Sequence, residues 1–197
     1  MTINNFKAIV IGASAGGLKV LSLLLPALPA NIPTAIIIVS HRMDTPDTFL
    51  TDYLAKICSI PVIDAEHLDP IKPSTVYIAP PGYHLLIADD YCFNLTVDDR
   101  VNASRPSIDV TFETAAEVYG EKLIGIVLTG ANSDGAVGLA KIKQLHGYTI
   151  VQDPLTAESS FMPNAAITKT KVDFIGTVPQ IAAKICALCD VEINNND

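Results

Sequence analysis

Short apolar runs alternate with stretches of helical spacing along most of the chain. Residues 8–11 and 35–39 are continuous apolar runs with the length and the branched side chains of buried strands. Between them, leucines recur every three or four residues over 18–28, which predicts a helix. Pro29 and Pro33 follow and indicate a turn before the second strand. This part of the chain therefore predicts a strand–helix–strand unit.

The alternation continues to the end of the chain, with one interruption. It predicts helices over 49–57, 108–119, 135–145 and 179–188, and strands at 61–63, 76–78, 124–128 and 148–152. Residues 84–87 and 92–97 flank a polar turn and predict an antiparallel hairpin instead of another strand–helix unit. The predicted fold class is α/β: a single-domain, doubly wound, mostly parallel sheet with an antiparallel hairpin excursion.

Composition and charge limit the classes of partner. Hydrophobic residues make up 49% of the 197 residues and charged residues 17%, which fits a sheet buried on both faces and excludes a disordered chain. The net charge of -8, with no basic run, argues against binding to nucleic acid. No apolar run approaches the roughly 20 residues of a membrane span, and the N-terminus lacks the plan of a signal peptide. We therefore expect no membrane insertion and a cytoplasmic location.

The cysteines predict no metal site. Cys186 and Cys189 form a C-x-x-C, but no second pair and no nearby histidine completes the ligand set of a zinc ion. Cys58 and Cys92 are isolated in the sequence. Four reduced thiols are typical of a protein in a reducing compartment.

The turn after the first strand carries the first candidate for chemistry. Ser14 lies in a G-x-S-x-G pattern between the predicted strand and the predicted helix, which is the context of a nucleophile elbow. A glycine-rich turn at this place is also typical of nucleotide-binding folds. The second strand, however, ends without the acidic residue that would bind a ribose. The turn alone is therefore compatible with three interpretations: a catalytic nucleophile, a phosphate-binding site or a purely structural turn.

Two further candidates follow other predicted strands. His41 comes directly after the second strand, and Asp134 follows the strand at 124–128. Because the carboxyl ends of parallel strands meet at one edge of a sheet, we expect both side chains near Ser14. His41 is then a general base for the Ser14 hydroxyl, and Asp134 orients the imidazole. Ser133 and Asp134 are equally suited to cap the N-terminus of the following helix.

Several short motifs occur in a fixed order and together resemble a known family. They are Gly-Ala-Ser-Ala-Gly-Gly at 12–17, Ser40-His41, Ala-Pro-Pro-Gly at 79–82, Ser-Arg-Pro-Ser-Ile-Asp at 104–109, Leu-Thr-Gly at 128–130 with Ser-Asp-Gly at 133–135, and Met162-Pro163. Over residues 7–185 the chain is similar to the catalytic domain of the CheB protein-glutamate methylesterases.

The resemblance implies a serine hydrolase with Ser14, His41 and Asp134 as its catalytic triad. The implied reaction converts glutamyl methyl esters on chemoreceptor helices to glutamate and methanol, and many members also deamidate receptor glutamines. No metal or organic cofactor is implied. The implied partner is a methylated chemoreceptor or a similar signalling protein.

The resemblance also assigns secondary site residues and shows departures from the family pattern. We expect the oxyanion hole at Ala15 and Ala131, where the family commonly has threonine and methionine. We expect substrate binding by Arg105, in the matching motif at 104–109, by His84, which follows the motif at 79–82, and by Met162. The segment before Met162 lacks the usual Phe-Gly dipeptide.

The expected organisation is a catalytic domain over residues 1–190, followed by a polar, disordered tail over 191–197. CheB enzymes commonly carry an N-terminal receiver domain, whereas here the catalytic domain begins within the first ten residues. We therefore expect a stand-alone domain without a receiver. The alternative function is a noncatalytic module that retains the fold and binds receptors or other signalling partners.

Overall fold

The computed structural model describes residues 6–41 and 48–194 of the chain. Within these ranges a seven-stranded sheet has the order β3-β4-β2-β1-β7-β8-β9, and all its strand pairs are parallel. Its strands are β1 (Ala8–Ala13), β2 (Ala35–Ser40), β3 (Val62–Asp64), β4 (Thr75–Ile78), β7 (Leu123–Val127), β8 (Tyr148–Gln152) and β9 (Phe174–Gly176). The predicted mostly parallel sheet is confirmed.

The central strands are buried because both faces of the sheet are covered. Successive residues of β1 point to opposite faces, so Ile9 and Ile11 belong to one hydrophobic core while Ala8 and Val10 belong to the other. This two-sided burial explains why these strands are continuous apolar runs in the sequence.

Six helices form the two covering layers of the described chain. The helices α1 (Gly17–Leu24), α2 (Phe49–Ile57) and α6 (Val178–Leu188) contribute to one core. The helices α3 (Ile108–Tyr119), α4 (Ala136–Gln144) and α5 (Phe161–Lys169) contribute to the other. The doubly wound prediction is therefore correct.

The predicted hairpin is present as a separate two-stranded antiparallel sheet. It consists of β5 (His84–Ile87) and β6 (Phe93–Thr96). The hydroxyl of Thr111 on α3 donates to the Leu85 carbonyl at 2.7 Å, and the Ile87 N–H donates to the hydroxyl of Thr114 on α3 at 3.1 Å. The hairpin thus covers α3 and does not extend the main sheet.

The sequence pattern missed two elements near the C-terminus. The helix α5 escaped prediction because its apolar residues form no continuous stripe: Phe161 is exposed while Met162 and Ala166 are buried. Its Pro163 lies in the first turn, where the absence of an N–H does not break a helix. The strand β9 has three residues at the sheet edge, too few to produce a periodic signal.

Two predicted boundaries need comment. The first helix ends at Leu24, earlier than predicted, and a 3₁₀ turn that contains Pro26 follows it. Residues 191–194 of the predicted tail lie within the described residues, and the side-chain amide of Asn194 donates to the Leu28 carbonyl at 2.9 Å. Residues 195–197 lie outside the described residues.

None of the helices within the described ranges has the length and hydrophobicity that a membrane crossing requires.

Close packing brings the start of α3 against β1. A Cβ atom on Gly12 would lie 2.4 Å from Cγ2 of Ile108, the first residue of α3. A Cβ atom on Gly135, just before α4, would lie 2.7 Å from the same methyl group. The absence of side chains at both positions lets α3 begin at the carboxyl edge of the sheet.

We expect Gly12→Ala to lower the free energy of unfolding by about 1–3 kcal/mol, because the added methyl group must displace Ile108. Urea unfolding followed by circular dichroism measures the change. In an Ile108→Ala background the same substitution should cost less than about 0.5 kcal/mol, because the clashing methyl group is gone. An equal cost in both backgrounds would show that this contact is not the cause.

Candidate active site

The candidate residues lie at the carboxyl ends of the strands around β1, where successive strands stop adding on one side of the sheet and begin adding on the other. From β1 the chain proceeds to β2 on one side, whereas β7 pairs with β1 on the other side. Ligands in doubly wound folds bind in the crevice that such a reversal leaves at the carboxyl ends of the strands. Ser14 follows β1, His41 follows β2, and Asp134 lies between β7 and α4.

The turn that carries Ser14 is fixed by hydrogen bonds to Thr129. The Ser14 N–H donates to the Thr129 carbonyl at 2.9 Å, and the Thr129 hydroxyl donates to the Ala15 carbonyl at 2.9 Å. Gly16 has a φ of 78°, in the left-handed region that glycine adopts without strain. A Cβ atom there would also lie 2.8 Å from the Cβ of Glu158. These contacts hold Ser14 in a half-buried position just before α1.

The imidazole of His41 lies between the other two candidates. Its Nδ1 is 3.1 Å from Ser14 Oγ, and its Nε2 is 2.7 Å from Asp134 Oδ2. The two contacts orient the ring opposite to the template serine-protease triad, in which Nε2 faces serine and Nδ1 faces aspartate. The carboxylate accepts the Nε2 hydrogen, so Nδ1 presents its lone pair to the Ser14 hydroxyl.

The carboxylate of Asp134 is fully buried, and the N-terminus of α3 compensates its charge. It accepts hydrogen bonds from the backbone N–H of Ile108 at 2.7 Å and of Asp109 at 3.0 Å, and from the Ser107 hydroxyl at 2.8 Å. The positive end of the helix dipole also favours a negative charge at this place.

These hydrogen bonds decide the ionisation of Asp134. Burial by itself would raise the pKa of the carboxyl. The hydrogen bonds from His41, from the N–H groups of Asp109 and Ile108, and from Asn102 outweigh burial and hold the pKa below its ordinary value. Asp134 therefore carries a full negative charge at neutral pH.

The prediction that Asp134 caps the helix that follows it in the sequence was wrong. The N-cap of α4, the helix that follows Asp134 in sequence, is Gly135 and carries no side-chain cap. Instead, the Asp134 carboxylate lies at the N-terminus of α3, a distant segment of the chain. Tertiary packing, and not local sequence, determines which helix this carboxylate caps.

Asn102 connects Asp134 with a second buried carboxylate. Its side-chain amide donates to Asp134 Oδ1 and to Asp109 Oδ2, both at 2.8 Å. Asp109 also accepts the Gly138 N–H at 2.7 Å, although burial and the neighbouring Asp134 raise its pKa. Neither Asn102 nor Thr129 was predicted as a site residue. Asn102 has a φ of 52°, in a region that asparagine tolerates, but a lone asparagine gives no sequence signal for this role.

The two alanines predicted for the oxyanion hole lie on exposed turns. Ala15 follows Ser14, and Ala131 lies in the turn between β7 and α4. Within the described part of the chain, neither backbone N–H donates a hydrogen bond. Their role as oxyanion donors stays a prediction.

The structure shows the surroundings of the three residues predicted to bind substrate, and their role in substrate binding stays a prediction. Met162 is fully buried under the turn at Gly130, where its Cε would lie 2.4 Å from an added Cβ. His84 is buried in the hairpin, where Nε2 is 3.0 Å from the Asp99 carbonyl and Nδ1 accepts the Ser107 N–H at 3.3 Å. Met162 thus packs against the turn after β7, and His84 contacts the residue that precedes α3.

The side chain of Arg105 is hydrogen-bonded to two backbone carbonyls. Its Nη1 donates to the carbonyls of Val97 at 2.7 Å and Asp98 at 3.0 Å, so the guanidinium fastens the segment after β6. It lines a groove of about 820 Å³ next to Tyr83 and Leu95, and that groove does not include Ser14. The motif located Arg105 near α3, but the path of the preceding loop determines what its side chain contacts.

Two cavities adjoin the serine–histidine–aspartate cluster formed by Ser14, His41 and Asp134. One, of about 420 Å³, is lined by Ser14 and His41 together with Lys19 and Phe49. The other, of about 830 Å³, lies between α4 and α5 and is lined by Val137 and Phe161 among others. The first cavity gives a substrate side chain room beside Ser14 and His41, whereas the lining of the second includes none of the three cluster residues. In the described ranges, no group of three or more His, Cys, Asp or Glu side chains is placed to hold a metal ion.

The fold and the cluster define a doubly wound α/β protein with a serine–histidine–aspartate site at its topological switch point. The family model described as CheB methylesterase matches residues 9–185. The chain belongs to the CheB methylesterase family, which confirms the resemblance deduced from the motifs.

Named relatives and a solved structure agree with this assignment. A Leptospira interrogans protein named "Putative protein-glutamate methylesterase/protein-glutamine glutaminase" is 52% identical over 178 residues, which cover 90% of this chain and 92% of that protein. The protein-glutamate methylesterase/protein-glutamine glutaminase of Archaeoglobus fulgidus is 34% identical, and the match covers 94% of this chain but 54% of that protein. The chain thus spans about half the length of this second relative.

The crystal structure of the Thermotoga maritima CheB methylesterase catalytic domain is similar in fold. It superposes with a TM-score of 0.89 at 34% identity, and the match covers 93% of this chain and 98% of that one.

We expect Asp134→Asn to lower the free energy of unfolding by about 2–4 kcal/mol at pH 7, because an amide cannot accept from every donor that the carboxylate satisfies. Since the folded pKa of Asp134 is depressed, its stabilisation is present above the unfolded pKa of about 3.9 and is lost as pH falls through the folded value. The difference in the free energy of unfolding between the wild type and Asp134→Asn should therefore become smaller below about pH 4.

Urea unfolding from pH 3 to pH 8 measures this difference. Asp89→Asn, at an exposed position, is the matched control and should follow the wild type across the range. A difference between Asp134→Asn and the wild type that stays constant with pH would show that ionisation of Asp134 does not stabilise the fold.

Proposed function

We propose that this protein is a serine esterase that hydrolyses glutamyl methyl esters on a chemoreceptor or a similar signalling protein, giving glutamate and methanol. The observation that carries the proposal is the position of the His41 ring, within hydrogen-bond distance of both Ser14 and a buried, ionised Asp134. Membership of the CheB methylesterase family supports the ester as substrate.

In the proposed first half-reaction, His41 Nδ1 takes the proton from the Ser14 hydroxyl while Oγ attacks the ester carbonyl carbon. Asp134 holds the Nε2 hydrogen and stabilises the imidazolium that forms, a role worth about 10⁴ in turnover in the template triad. The N–H groups of Ala15 and Ala131 stabilise the oxyanion. The intermediate then releases methanol, which takes its proton from His41, and leaves an acyl ester on Ser14.

In the second half-reaction, His41 removes a proton from a water molecule as the water attacks the acyl ester. The tetrahedral intermediate collapses, Ser14 Oγ recovers its proton from His41, and the glutamic acid side chain departs and loses its remaining proton to solvent. The same sequence applied to a glutamine side chain releases ammonia, and the Leptospira and Archaeoglobus relatives carry this second activity in their names. We therefore include glutamine deamidation in the proposal.

The steps use only groups of this chain, the substrate and water. The partner we propose is the methylated receptor segment, whose ester side chain would enter the cavity that Ser14 and His41 line. The predicted cytoplasmic location stays a prediction.

We expect Ser14→Ala to lower kcat for methanol release from a methylated receptor fragment by at least about 10⁴, because the covalent intermediate cannot form. Ser22→Ala is the matched control, because the Ser22 hydroxyl on α1 donates to the Lys19 carbonyl of the same helix, and this variant should retain activity. A gas-chromatographic methanol assay gives the rates, and a fluorophosphonate probe reports whether Ser14 is nucleophilic.

Retention of methanol release by Ser14→Ala would refute the proposed mechanism. Binding of the fragment by a wild-type protein that releases no methanol and resists the probe would instead support the noncatalytic binding module.

A further inference from the structure

A side chain that the proposed mechanism leaves unused also reaches the reacting nitrogen of His41. The Asn132 Nδ2 lies 3.3 Å from His41 Nδ1, the same atom that is 3.1 Å from Ser14 Oγ. Asn132 belongs to the turn between β7 and α4 and follows Ala131, the second predicted oxyanion donor.

The orientation of the Asn132 amide is fixed from its other end. Its Oδ1 accepts the backbone N–H of Asp134 at 3.1 Å, which closes a local turn over two residues. A flipped amide would place the NH₂ group against this N–H, donor against donor. The NH₂ group is therefore directed at His41.

Two donors then share a single acceptor in the free protein. With its hydrogen on Nε2, His41 offers one lone pair at Nδ1, and both the Ser14 hydroxyl and the Asn132 amide point at it. When Nδ1 takes the proton from Ser14, it becomes a donor, and its contact with Asn132 turns repulsive. The amide must then find another acceptor close to Ser14.

The oxygen that gains charge during the reaction is such an acceptor. We propose that Asn132 is a further catalytic residue, whose side-chain NH₂ group contacts His41 Nδ1 in the free enzyme and donates to the oxyanion of the tetrahedral intermediate. This role rests on the proposed esterase function. The turn from β7 to α4 thereby supplies both a backbone donor, at Ala131, and a side-chain donor, at Asn132.

Two variants separate the donor role from a merely structural one. Asn132→Asp keeps the Oδ1 acceptor for the Asp134 N–H but replaces the NH₂ group by an oxygen. Asn132→Ala removes both. If Asn132 only shapes the turn and the added charge has no effect of its own, the aspartate variant keeps the wild-type kcat, whereas a donor role predicts a lower kcat in both variants.

We expect each variant to lower kcat for methanol release by about 10²–10³, the effect of losing one oxyanion donor. KM for the methylated fragment should stay within about twofold, because the interaction forms only in the transition state. Ser133→Asp adds the same charge at the neighbouring exposed position and should keep kcat within about threefold, since solvent screens it. Thermal unfolding of each variant shows that the rates refer to folded protein.

The outcomes distinguish this inference from the proposed function. A Ser14-dependent wild-type esterase whose Asn132→Asp variant retains kcat would overturn the donor role alone. A loss of kcat in Ser133→Asp equal to that in Asn132→Asp would assign the effect to charge and overturn it as well. A wild-type protein without Ser14-dependent hydrolysis would overturn both proposals.

Discussion

A buried carboxylate at the start of a distant helix is the interaction on which the rest of the site depends. Asp134 has no access to solvent, so the N–H groups at the beginning of α3 must replace the hydration that its charge has lost. The contact with Asp134 also constrains the packing of α3, because this helix can reach the carboxylate only where Gly12 and Gly135 leave space for Ile108. The position of His41, and through it the direction of the Ser14 hydroxyl, follows from the same carboxylate.

The sequence predicts most of the sheet and the residues at its edge, and the reason is physical. Strands buried on both faces must be continuous apolar runs, and residues directly after such strands must emerge at one edge. The sequence pattern therefore predicts that Ser14, His41 and Asp134 lie near one another. The helix α2 has the predicted bounds, Phe49–Ile57, because its apolar spacing and its ends are both local features.

What the sequence could not predict depends on contacts between distant segments. Asp134 was suited to cap the helix next to it in the chain, yet α3 is the helix that it caps. Arg105 and Met162 lie in matching motifs and His84 follows one, but the packing of the hairpin and of the turn at Gly130 determines what these side chains contact. Asn102 and Asn132 carry no periodic signal, because each acts through a side-chain amide that contacts groups far away in sequence.

The order of strands has a consequence for how the protein is made. β1 lies between β2, which the ribosome produces soon afterwards, and β7, which comes much later. His41 and Asp134 are 93 residues apart in the chain. During synthesis, Ser14 and His41 therefore leave the ribosome long before the carboxylate that fixes the imidazole, and that carboxylate arrives only when β7 has paired with β1. A nascent chain thus contains its serine and histidine before it has the geometry to use them, and the complete site assembles only when β7 pairs with β1, while β8 and β9 are still to be added at that edge.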